Sequence, residues 1–404
     1  MKILHYLKTM RLEEGGVVRA VLDFCTALAG ASGGASGGGH NVVLMTFDDL
    51  DVPKDWPRVA ASAAWDQPGG RPSVVVLPRP SKPGGRFDAG AMAQVSAAVR
   101  AADVAHIHAV WIPSNMQVAR AAARAGTPYI VTIHGMLDDW SMSQRTLKKK
   151  VYLALGGRKY LESAALVHST AEFERRQSVK WYPKGRAVVA PLLFDLQPFR
   201  NLPGPAAARR AFPLAASDLP KVLFLSRVHE KKGLPHLIRA CRLLKDAGRP
   251  VALLIAGTGE PAYVESLKTL VREQGLDNST EFLGLVTGET KVSLFEAADL
   301  FVLPTSQENF GFAPIEAMAS GTVAVTTKGV DIWPELEESG GAVIADPEPA
   351  PLSKVLGELL TDPDRRTAMG ARARAWVLDR LDAGRVVGEY VAMYERAAEA
   401  RRNH

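Results

Sequence analysis

Short apolar runs recur along the 404-residue chain, and segments with helical periodicity separate them. Most of these runs are apolar at consecutive positions, which is typical of parallel strands whose two faces are both covered. The runs predict strands over 2–7, 41–47, 73–78, 104–110, 129–134, 165–169, 187–191, 221–228, 251–256, 280–285, 300–303, 323–326 and 342–345. One sheet of that many strands would be unusual, so the pattern predicts an α/β protein with two doubly wound sheets.

A proline- and glycine-rich connection, Leu202-Pro-Gly-Pro-Ala206, divides the chain near its middle. It lacks periodicity and predicts a boundary near residue 200. We therefore expect an N-terminal domain over 1–200, a second domain over 201–380 and a C-terminal helix over 381–404. Residues 1–200 hold 25 Lys/Arg against 16 Asp/Glu, whereas the rest hold 24 against 27. This asymmetry suggests that the two halves have different partners, and a basic half favours an anionic one.

Composition excludes several classes of protein. A hydrophobic content of 47% with 23% charged residues excludes disorder over most of the chain. Two cysteines, Cys25 and Cys241, can build neither a disulfide framework nor a four-thiolate zinc site, and such sparse use fits a reducing compartment. The N-terminus is interpreted as a buried strand and not as a signal peptide. No apolar stretch approaches the roughly 18 residues of a spanning helix, so we expect a cytoplasmic protein.

Glycines and charged residues follow several of the predicted strands at their carboxyl ends. These are Glu13–Gly16, His134–Gly135, Arg227 with Lys232–Gly233, Gly257–Gly259, and Thr305–Glu316. Ligands of open parallel sheets bind beyond the carboxyl ends of the strands. Both halves of the chain are therefore predicted to contribute to one cleft that holds a ligand.

The segment from Thr305 to Glu316 is the most informative of these. Pro314 suits the first position of a helix, and Gly311 allows close approach of the backbone to a ligand. A helix N-terminus binds phosphate through its N–H groups and its dipole. Arg227 and Lys232 would supply countercharge, and Glu308 and Glu316 would accept hydrogen bonds from hydroxyl groups. A ligand with phosphates and hydroxyls is a nucleotide sugar.

Glu308 and Glu316, with seven residues between them, resemble the E-x7-E signature of retaining glycosyltransferases of family 4. Further similar motifs span nearly the whole chain in the expected order: Gly15-Gly16, Thr132-Ile-His134-Gly135-Met-Leu-Asp-Asp-Trp140, Ser226-Arg227 with Lys232-Gly233, Gly257-Thr-Gly259 and Phe282-Leu283-Gly284. The second of them looks like bacterial enzymes of polysaccharide assembly. The resemblance implies the GT-B fold, in which two Rossmann-like domains face a central cleft.

The resemblance also implies a role for each matching residue. Glu316 would bind the ribose, Glu308 and His134 the transferred sugar, and Arg227 and Lys232 the departing diphosphate. The remaining donor-binding positions would be Gly15, Gly16, Gly257, Leu283, Asn309, Phe310, Gly311 and Phe312. The C-terminal domain would bind the nucleotide sugar, the N-terminal domain a saccharide or lipid-linked acceptor, and the final helix would pack back on the N-terminal domain.

Two positions depart from the family pattern. Asn309 stands where the family often has glycine, and Pro191-Leu-Leu-Phe-Asp195 replaces a frequent Pro-Asn-Gly-Val-Asp run. Neither change removes a charged group that the chemistry needs. The resemblance implies transfer with retention of anomeric configuration. The two cations take the place of a metal, so no metal or other cofactor is expected.

Three other patterns have plainer interpretations. His106 and His108 share one face of a strand, but no third metal ligand is evident, so packing or acceptor contact is favoured. Asp49 and Asp51 imitate a metal-binding D-x-D motif but are interpreted as a solvated turn. Gly257-Thr-Gly259 is too short for a dinucleotide fingerprint and does not follow the first strand. Glu316 also has an ordinary interpretation as a helix-capping carboxylate.

A basic run at Lys148–Lys150 precedes the apolar segment Val151–Leu155. Such charge is usually a solvated face, but this combination also fits an anionic membrane surface, which a lipid-linked acceptor would explain.

Two alternatives to a transferase remain. A nucleotide-sugar 2-epimerase would share the architecture without needing the glutamate pair. A nucleic-acid-binding protein would use the basic half, but few aromatic residues accompany its charges, so no nucleic-acid partner is expected.

Overall fold

A computed structural model describes residues 1–14, 16–33, 38–67, 70–81 and 85–402 of the chain. The described residues form two compact units. The first unit contains Met1–Phe194 and the segment that begins at Ala383, and the second contains Asp195–Asp382. The first unit therefore contains residues that precede the second unit in the sequence and residues that follow it.

The first unit is built on a parallel sheet of seven strands, in the order β5-β4-β1-β6-β7-β8-β9. Its strands are β1 (Lys2–Tyr6), β4 (Asn41–Thr46), β5 (Ser73–Val76), β6 (Val104–His108), β7 (Tyr129–Thr132), β8 (Leu166–Ser169) and β9 (Ala187–Val189), and a separate antiparallel pair is formed by β2 (Ser32–Gly33) and β3 (Gly38–Gly39). Its helices before the second unit are α1 (Gly16–Gly30), α2 (Ala89–Arg100), α3 (Pro113–Ala125), α4 (Asp139–Ser143), α5 (Thr146–Tyr152), α6 (Arg158–Glu162) and α7 (Glu172–Ser178).

The second unit is built on a parallel sheet of six strands, in the order β12-β11-β10-β13-β14-β15. Its strands are β10 (Lys221–Leu225), β11 (Ala252–Ala256), β12 (Thr280–Gly284), β13 (Leu300–Leu303), β14 (Ala324–Thr326) and β15 (Ala342–Ile344). Its helices are α8 (Gln197–Arg200), α9 (Ala206–Ala211), α10 (Leu234–Asp246), α11 (Pro261–Glu273), α12 (Gly288–Ala297), α13 (Phe312–Ala319), α14 (Trp333–Glu338), α15 (Pro349–Leu360) and α16 (Pro363–Arg380). The predicted α/β class with two parallel sheets is confirmed.

The two faces of the first sheet differ in chemistry. One face is apolar: Leu4, Ala105 and Val131 pack with α2 and α3 in a core of buried residues. The other face carries polar side chains in register, because His5 pairs with His106 across β1 and β6. On the same face His108 pairs with Thr132, and Thr132 pairs with His168. The parallel register therefore gathers histidines from three strands on one face.

Helix α17 (Ala383–Arg402) covers the histidine face together with α1. The ring of Tyr390 on α17 lies 4.4 Å, centroid to centroid, from the ring of Phe24 on α1. The sequence predicted a C-terminal helix over 381–404, and α17 begins at Ala383, after α16 ends at Arg380.

Candidate functional site

Lys232 and Glu308 form an ion pair in the second unit. Lys232 is only 7% exposed and ends a short 3-10 turn after β10, whereas Glu308 follows β13. A buried ammonium group needs a counter-anion, and the Glu308 carboxylate supplies it. An ammonium group has three N–H donors, so Lys232 can also bind a phosphate oxygen. The two predicted residues are thus brought together at the carboxyl edge of the sheet.

Hydrogen bonds fasten the Lys232 turn to the segment that carries Glu308. The backbone oxygen of Lys231 accepts from Thr305 Oγ1 at 3.0 Å and from the N–H of Ser306 at 2.8 Å. Both bonds involve the backbone of the turn itself. The segments that carry Lys232 and Glu308 are therefore held together by bonds besides the ion pair.

Two glycines let the loops at this edge pack backbone against backbone. Gly257 has φ of 134°, and a Cβ there would lie 1.9 Å from the carbonyl oxygen of Ser226. Gly233 has φ of 72°, and a Cβ there would lie 2.0 Å from the carbonyl oxygen of Pro304. Side chains cannot be accommodated at either position. Packing therefore requires glycine at 257, and its predicted role in donor binding stays a prediction.

Helix α13 begins at Phe312, with Gly311 in the left-handed conformation as its N-cap (φ 70°). The prediction that Pro314 is the first helical residue is wrong, because the helix begins two residues earlier, at Phe312. Proline is tolerated in the first turn, where N–H groups have no intrahelical acceptor. The positive end of the α13 dipole therefore lies at Gly311–Phe312, which favours an anion there.

The segment between Glu308 and α13 is fixed by packing and by Asp331. Phe310 is buried, and its ring lies 5.4 Å from the Phe312 ring in an edge-on arrangement. Asn309 Nδ2 donates to Asp331 Oδ2 at 3.2 Å, and the N–H of Asp331 donates to the Glu308 carbonyl at 2.9 Å. Asp331 belongs to no motif in the sequence, so sequence reasoning missed it.

Glu316 lies on α13 and forms an ion pair with Lys291 of α12. Lys291 Nζ lies 2.6 Å from Glu316 Oε1, and the two side chains are 26% and 16% exposed. The pair leaves Oε2 of the carboxylate to accept from a hydroxyl group. Lys291 was not found from the sequence because it stands in a helix with no recognisable motif around it.

Arg227, Gly257 and Leu283 lie at the ends of three adjacent strands, β10, β11 and β12. Arg227 is exposed in the loop after β10, and Leu283 is half-buried on β12. The N–H of Gly257 donates to the Gly284 carbonyl at 2.7 Å, which joins the last two strand ends. The predicted residues of the second unit therefore share the carboxyl edge of one sheet.

His134 occupies a strained turn after β7 in the first unit. Both His134 (φ 48°) and Gly135 (φ 69°) are left-handed, a conformation that disfavours histidine. The fully buried carboxylate of Glu174 accepts hydrogen bonds from the N–H of Gly135 and from the N–H of Thr170. The carboxylate thus stabilises a turn that fixes the position of the imidazole. Sequence reasoning missed Glu174, which lies on α7, 39 residues further along.

A line of three buried rings ends at His134. His5 Nδ1 lies 3.0 Å from His108 Nε2, and His108 Nδ1 lies 3.1 Å from His134 Nε2. Burial lowers the pKa of His5 and of His134 to about 3, and it lowers the pKa of His108 as well. All three rings are therefore neutral at pH 7.

A second chain of hydrogen bonds begins at Tyr394 of α17. Its hydroxyl lies 2.8 Å from His106 Nδ1, and His106 Nε2 lies 2.5 Å from Thr132 Oγ1. Thr132 Oγ1 in turn lies 2.8 Å from His168 Nδ1, and burial lowers the pKa of His168 to about 4. The prediction of packing at His106 and His108 fits these contacts.

The sequence showed only two histidines, His106 and His108, as possible metal ligands. In the structure, His5 lies beside them as a third. Ring nitrogens of His5, His106 and His108 lie within 4.8 Å of one another, close enough to hold a metal ion. However, both nitrogens of His106 and of His108 already take part in hydrogen bonds, so a metal would displace existing contacts. We interpret the cluster as a hydrogen-bond network.

The other sequence candidates of the first unit have structural partners or lie outside the described ranges. Asp49 Oδ2 lies 3.0 Å from Arg58 Nε, and the Asp51 carboxylate accepts from the N–H of Leu12 at 2.7 Å. Both aspartates thus support the loop after β4. Gly16 is exposed and begins α1, whereas Gly15 lies outside the described residues.

Exposed apolar side chains lie next to exposed lysines on and just after α5. We define the Leu147 patch as Leu147, Val151 and Leu155, which are 78%, 47% and 76% exposed at a spacing of four residues. Lys148 and Lys150 are exposed beside it. Elsewhere, the helices in the described ranges include none that is both long enough and apolar enough to span a membrane.

The fold and both halves of the sequence match known glycosyltransferases. A model of the family "Glycosyl transferases group 1" matches residues 207–376, and a model of the "Glycosyl transferase 4-like domain" matches residues 15–192. Among solved structures, Anabaena Alr3699/HepE in complex with UDP superposes with a TM-score of 0.75 at 19% identity, over 98% of this chain and 100% of that one. Two Rossmann-like parallel-sheet units of this kind define the GT-B class.

Named relatives narrow the class to a family. The chain is 28% identical over 308 residues to a D-inositol 3-phosphate glycosyltransferase of Kineococcus radiotolerans, covering 71% of this chain and 70% of the relative. It is 30% identical over 284 residues to a protein of the same name from Xylanimonas cellulosilytica, covering 68% and 67%. The chain belongs to the glycosyltransferase family, with the group 1 and family 4-like domains.

Proposed function

We propose that the protein is a retaining glycosyltransferase that moves a sugar from a nucleotide diphosphate to a hydroxyl group of a saccharide or lipid-linked acceptor. The observation that carries this proposal is the grouping of Lys232, Glu308, Gly311 and Glu316 at one sheet edge. Two carboxylates, a buried ammonium group and a helix N-terminus match the hydroxyls and phosphates of a nucleotide sugar.

Each of these groups has a role in the proposed reaction. Glu316, oriented by Lys291, accepts hydrogen bonds from the ribose hydroxyls, and Glu308 accepts from a hydroxyl of the transferred sugar. Cleavage of the anomeric bond moves negative charge onto the β-phosphate. Lys232, Arg227 and the N-terminus of α13 stabilise that charge in the transition state. We assign the donor to the second unit and the acceptor to the first.

The two cations supply the countercharge that a divalent metal supplies elsewhere, so we propose that transfer needs no metal. Activity should then be unchanged after treatment with EDTA. Retention should appear as a product with the same anomeric configuration as the donor, which proton NMR of the product measures directly. A product of inverted configuration would contradict the proposed mechanism.

Ligand-dependent thermal stabilisation tests the donor site. The solved relative binds UDP, so UDP and UDP-sugars are tested first, followed by GDP- and ADP-sugars. A ligand present at about 100 times its dissociation constant stabilises the protein by about 2.7 kcal/mol. We expect one base to give this shift and Glu316→Ala to abolish it. Glu265→Ala, which removes an exposed carboxylate of the same unit, is the matched control. Absence of a shift with every ligand would contradict the proposal.

We further propose that the first unit contacts an anionic membrane surface through the Leu147 patch. Leucine and valine side chains exposed at helical spacing beside lysines are suited to a lipid interface. Such a contact would bring a lipid-linked acceptor to the enzyme at the inner face of the membrane. We propose a role in the assembly of a polysaccharide or another glycoconjugate, on the resemblance of the 132–140 segment to bacterial enzymes of that kind.

A further inference from the structure

The three rings His5, His108 and His134 are neutral, so the hydrogen bonds between them must all donate in one direction. Each neutral ring carries one hydrogen, on either Nδ1 or Nε2. His108 uses both nitrogens for bonds to its neighbours, so it donates in one bond and accepts in the other. The hydrogens along the line must therefore all point toward His134 or all point toward His5.

The inner end of the line decides between the two directions. His5 Nε2 is buried and has no hydrogen-bond partner among the described residues. If the hydrogens pointed toward His5, Nε2 would carry an orphaned N–H group in the interior. If they point toward His134, Nε2 carries only a lone pair. Orphaned buried N–H groups are rarer than unpaired acceptors, which favours the second direction.

We propose that His5 and His108 are positioning residues that hold His134 as its Nδ1–H tautomer. In this direction His108 donates from Nδ1 to His134 Nε2, so the single hydrogen of His134 is on Nδ1. No partner of Nδ1 is present in the described ranges, and His134 retains 7% exposure. This nitrogen is therefore the donor available to a ligand oxygen.

The nature of that oxygen rests on the proposed function. A neutral N–H group donates to a sugar hydroxyl oxygen without adding charge near the anomeric centre, where positive character develops. Burial keeps the ring neutral, consistent with its lowered pKa. His134 thus orients the sugar.

The tautomer can be read directly by NMR. We would label the nine histidines with ¹⁵N and record long-range proton–nitrogen correlations, with the His134 signals assigned by their loss in His134→Gln. We expect His134 and His108 to be protonated on Nδ1 in the unliganded protein. A nucleotide sugar should shift the His134 Nδ1 signal, whereas the matching nucleoside diphosphate should not. Protonation of His134 on Nε2 would overturn the proposal.

Two variants separate positioning from a general structural role. His108→Phe removes the donor to His134, so we expect two tautomers of His134 in exchange and about tenfold lower kcat/KM for the donor. His40→Phe is the matched control, since it changes another buried histidine of the same unit, whose ring is paired with the N-terminal amine. It should leave the His134 signals unchanged and kcat/KM within about twofold. Unchanged signals and activity in His108→Phe would overturn the proposal.

The failures of the two proposals are distinguishable. If His108→Phe does not fold, His108→Gln and the wild-type spectrum decide the tautomer, because neither depends on activity. Nδ1–H in a protein that binds no nucleotide sugar would overturn the proposed function and support the tautomer. Nε2–H in an active transferase would overturn only the tautomer.

Discussion

Lys291 Nζ and Glu316 Oε1 lie 2.6 Å apart, and the pair joins α12, which precedes the E-x7-E segment, to α13, which begins inside it. The second glutamate of the E-x7-E spacing is therefore held by a cation 25 residues before it. A carboxylate held in one orientation binds a diol with a smaller loss of side-chain entropy than a mobile one.

Replacing Lys291 tests this positioning. Lys291→Met should weaken nucleotide binding about three- to tenfold, because Glu316 loses its orienting partner while its charge remains. Isothermal titration with the preferred nucleoside diphosphate measures the change. Lys268→Met, which breaks an exposed pair with Glu265 in the same unit, should leave the affinity unchanged. Equal affinity in both variants would contradict the role of Lys291.

Replacing Lys232 tests charge stabilisation at the diphosphate. Lys232→Ala should lower kcat by about 100-fold, the scale seen when one transition-state donor is removed. Steady-state transfer assays and donor titrations together show whether kcat or binding carries the loss. The control is Lys231→Ala, because it removes the neighbouring charge and keeps the backbone oxygen that Thr305 and Ser306 bond. A loss confined to KM would show that Lys232 binds the ground state and the transition state equally, which would contradict charge stabilisation in the transition state.

Gly257→Ala should destabilise the second unit by about 3 kcal/mol or more. The added Cβ would lie 1.9 Å from the Ser226 oxygen, on a backbone with φ of 134°. Gly248→Ala, also at positive φ but with open space around the Cβ, should cost only about 1 kcal/mol. Urea unfolding curves of the two variants compare the costs, and equal costs would contradict the packing argument.

Stability of the first unit should fall as the pH decreases from 7 to 5. His5, His134 and His168 have pKa values of about 3 to 4 in the folded protein, against about 6.5 when unfolded. Below pH 6.5 the unfolded chain binds more protons, so each ring removes up to about 1.4 kcal/mol per pH unit. Above pH 6.5 this loss disappears.

Hydrogen exchange followed by mass spectrometry measures this pH dependence unit by unit, after correction for the intrinsic exchange rate. Peptides from β1 and β6 should lose protection at pH 5, whereas peptides from β10 and β13 serve as an internal control. His168→Gln removes one titrating ring and should make the loss less steep. Equal losses in both units would contradict the assignment to the histidines.

Membrane association should depend on the Leu147 patch. Leu147→Asp with Leu155→Asp should abolish co-sedimentation with vesicles of anionic lipid, because two exposed apolar contacts are replaced by negative charge. Leu50→Asp, at a leucine of the same unit that is 66% exposed, should leave it unchanged. Failure of the wild-type protein to bind at low salt would contradict the membrane proposal.

The sheets could be predicted because each strand is a local apolar run, and every predicted strand is present. The glutamates and Lys232 could be identified because their segments follow strands whose carboxyl ends must lie at one edge. Lys291 and Asp331 could not, since only the packing of helices and loops distant in sequence brings them to that edge. Pro314 was misplaced because the sequence does not reveal that Gly311 is left-handed.

The histidine network shows where local patterns stop being informative. His106 and His108 were visible as a pair on one strand, but His5 joins them only through the pairing of β1 with β6. Glu174 supports the His134 turn from a helix that follows the next strand. Register between strands distant in the chain is a tertiary property that no local periodicity encodes.

Tyr390 and Tyr394 belong to α17, which lies in the same unit as β1, and the Tyr394 hydroxyl is hydrogen-bonded to His106. During synthesis, the strands of the first unit therefore emerge long before the residues that close their histidine face. The second unit is complete once residue 382 has been made. The second unit is thus completed before the first, although translation begins with the first. The middle of the chain can therefore fold before α17 covers the histidine face of the first unit.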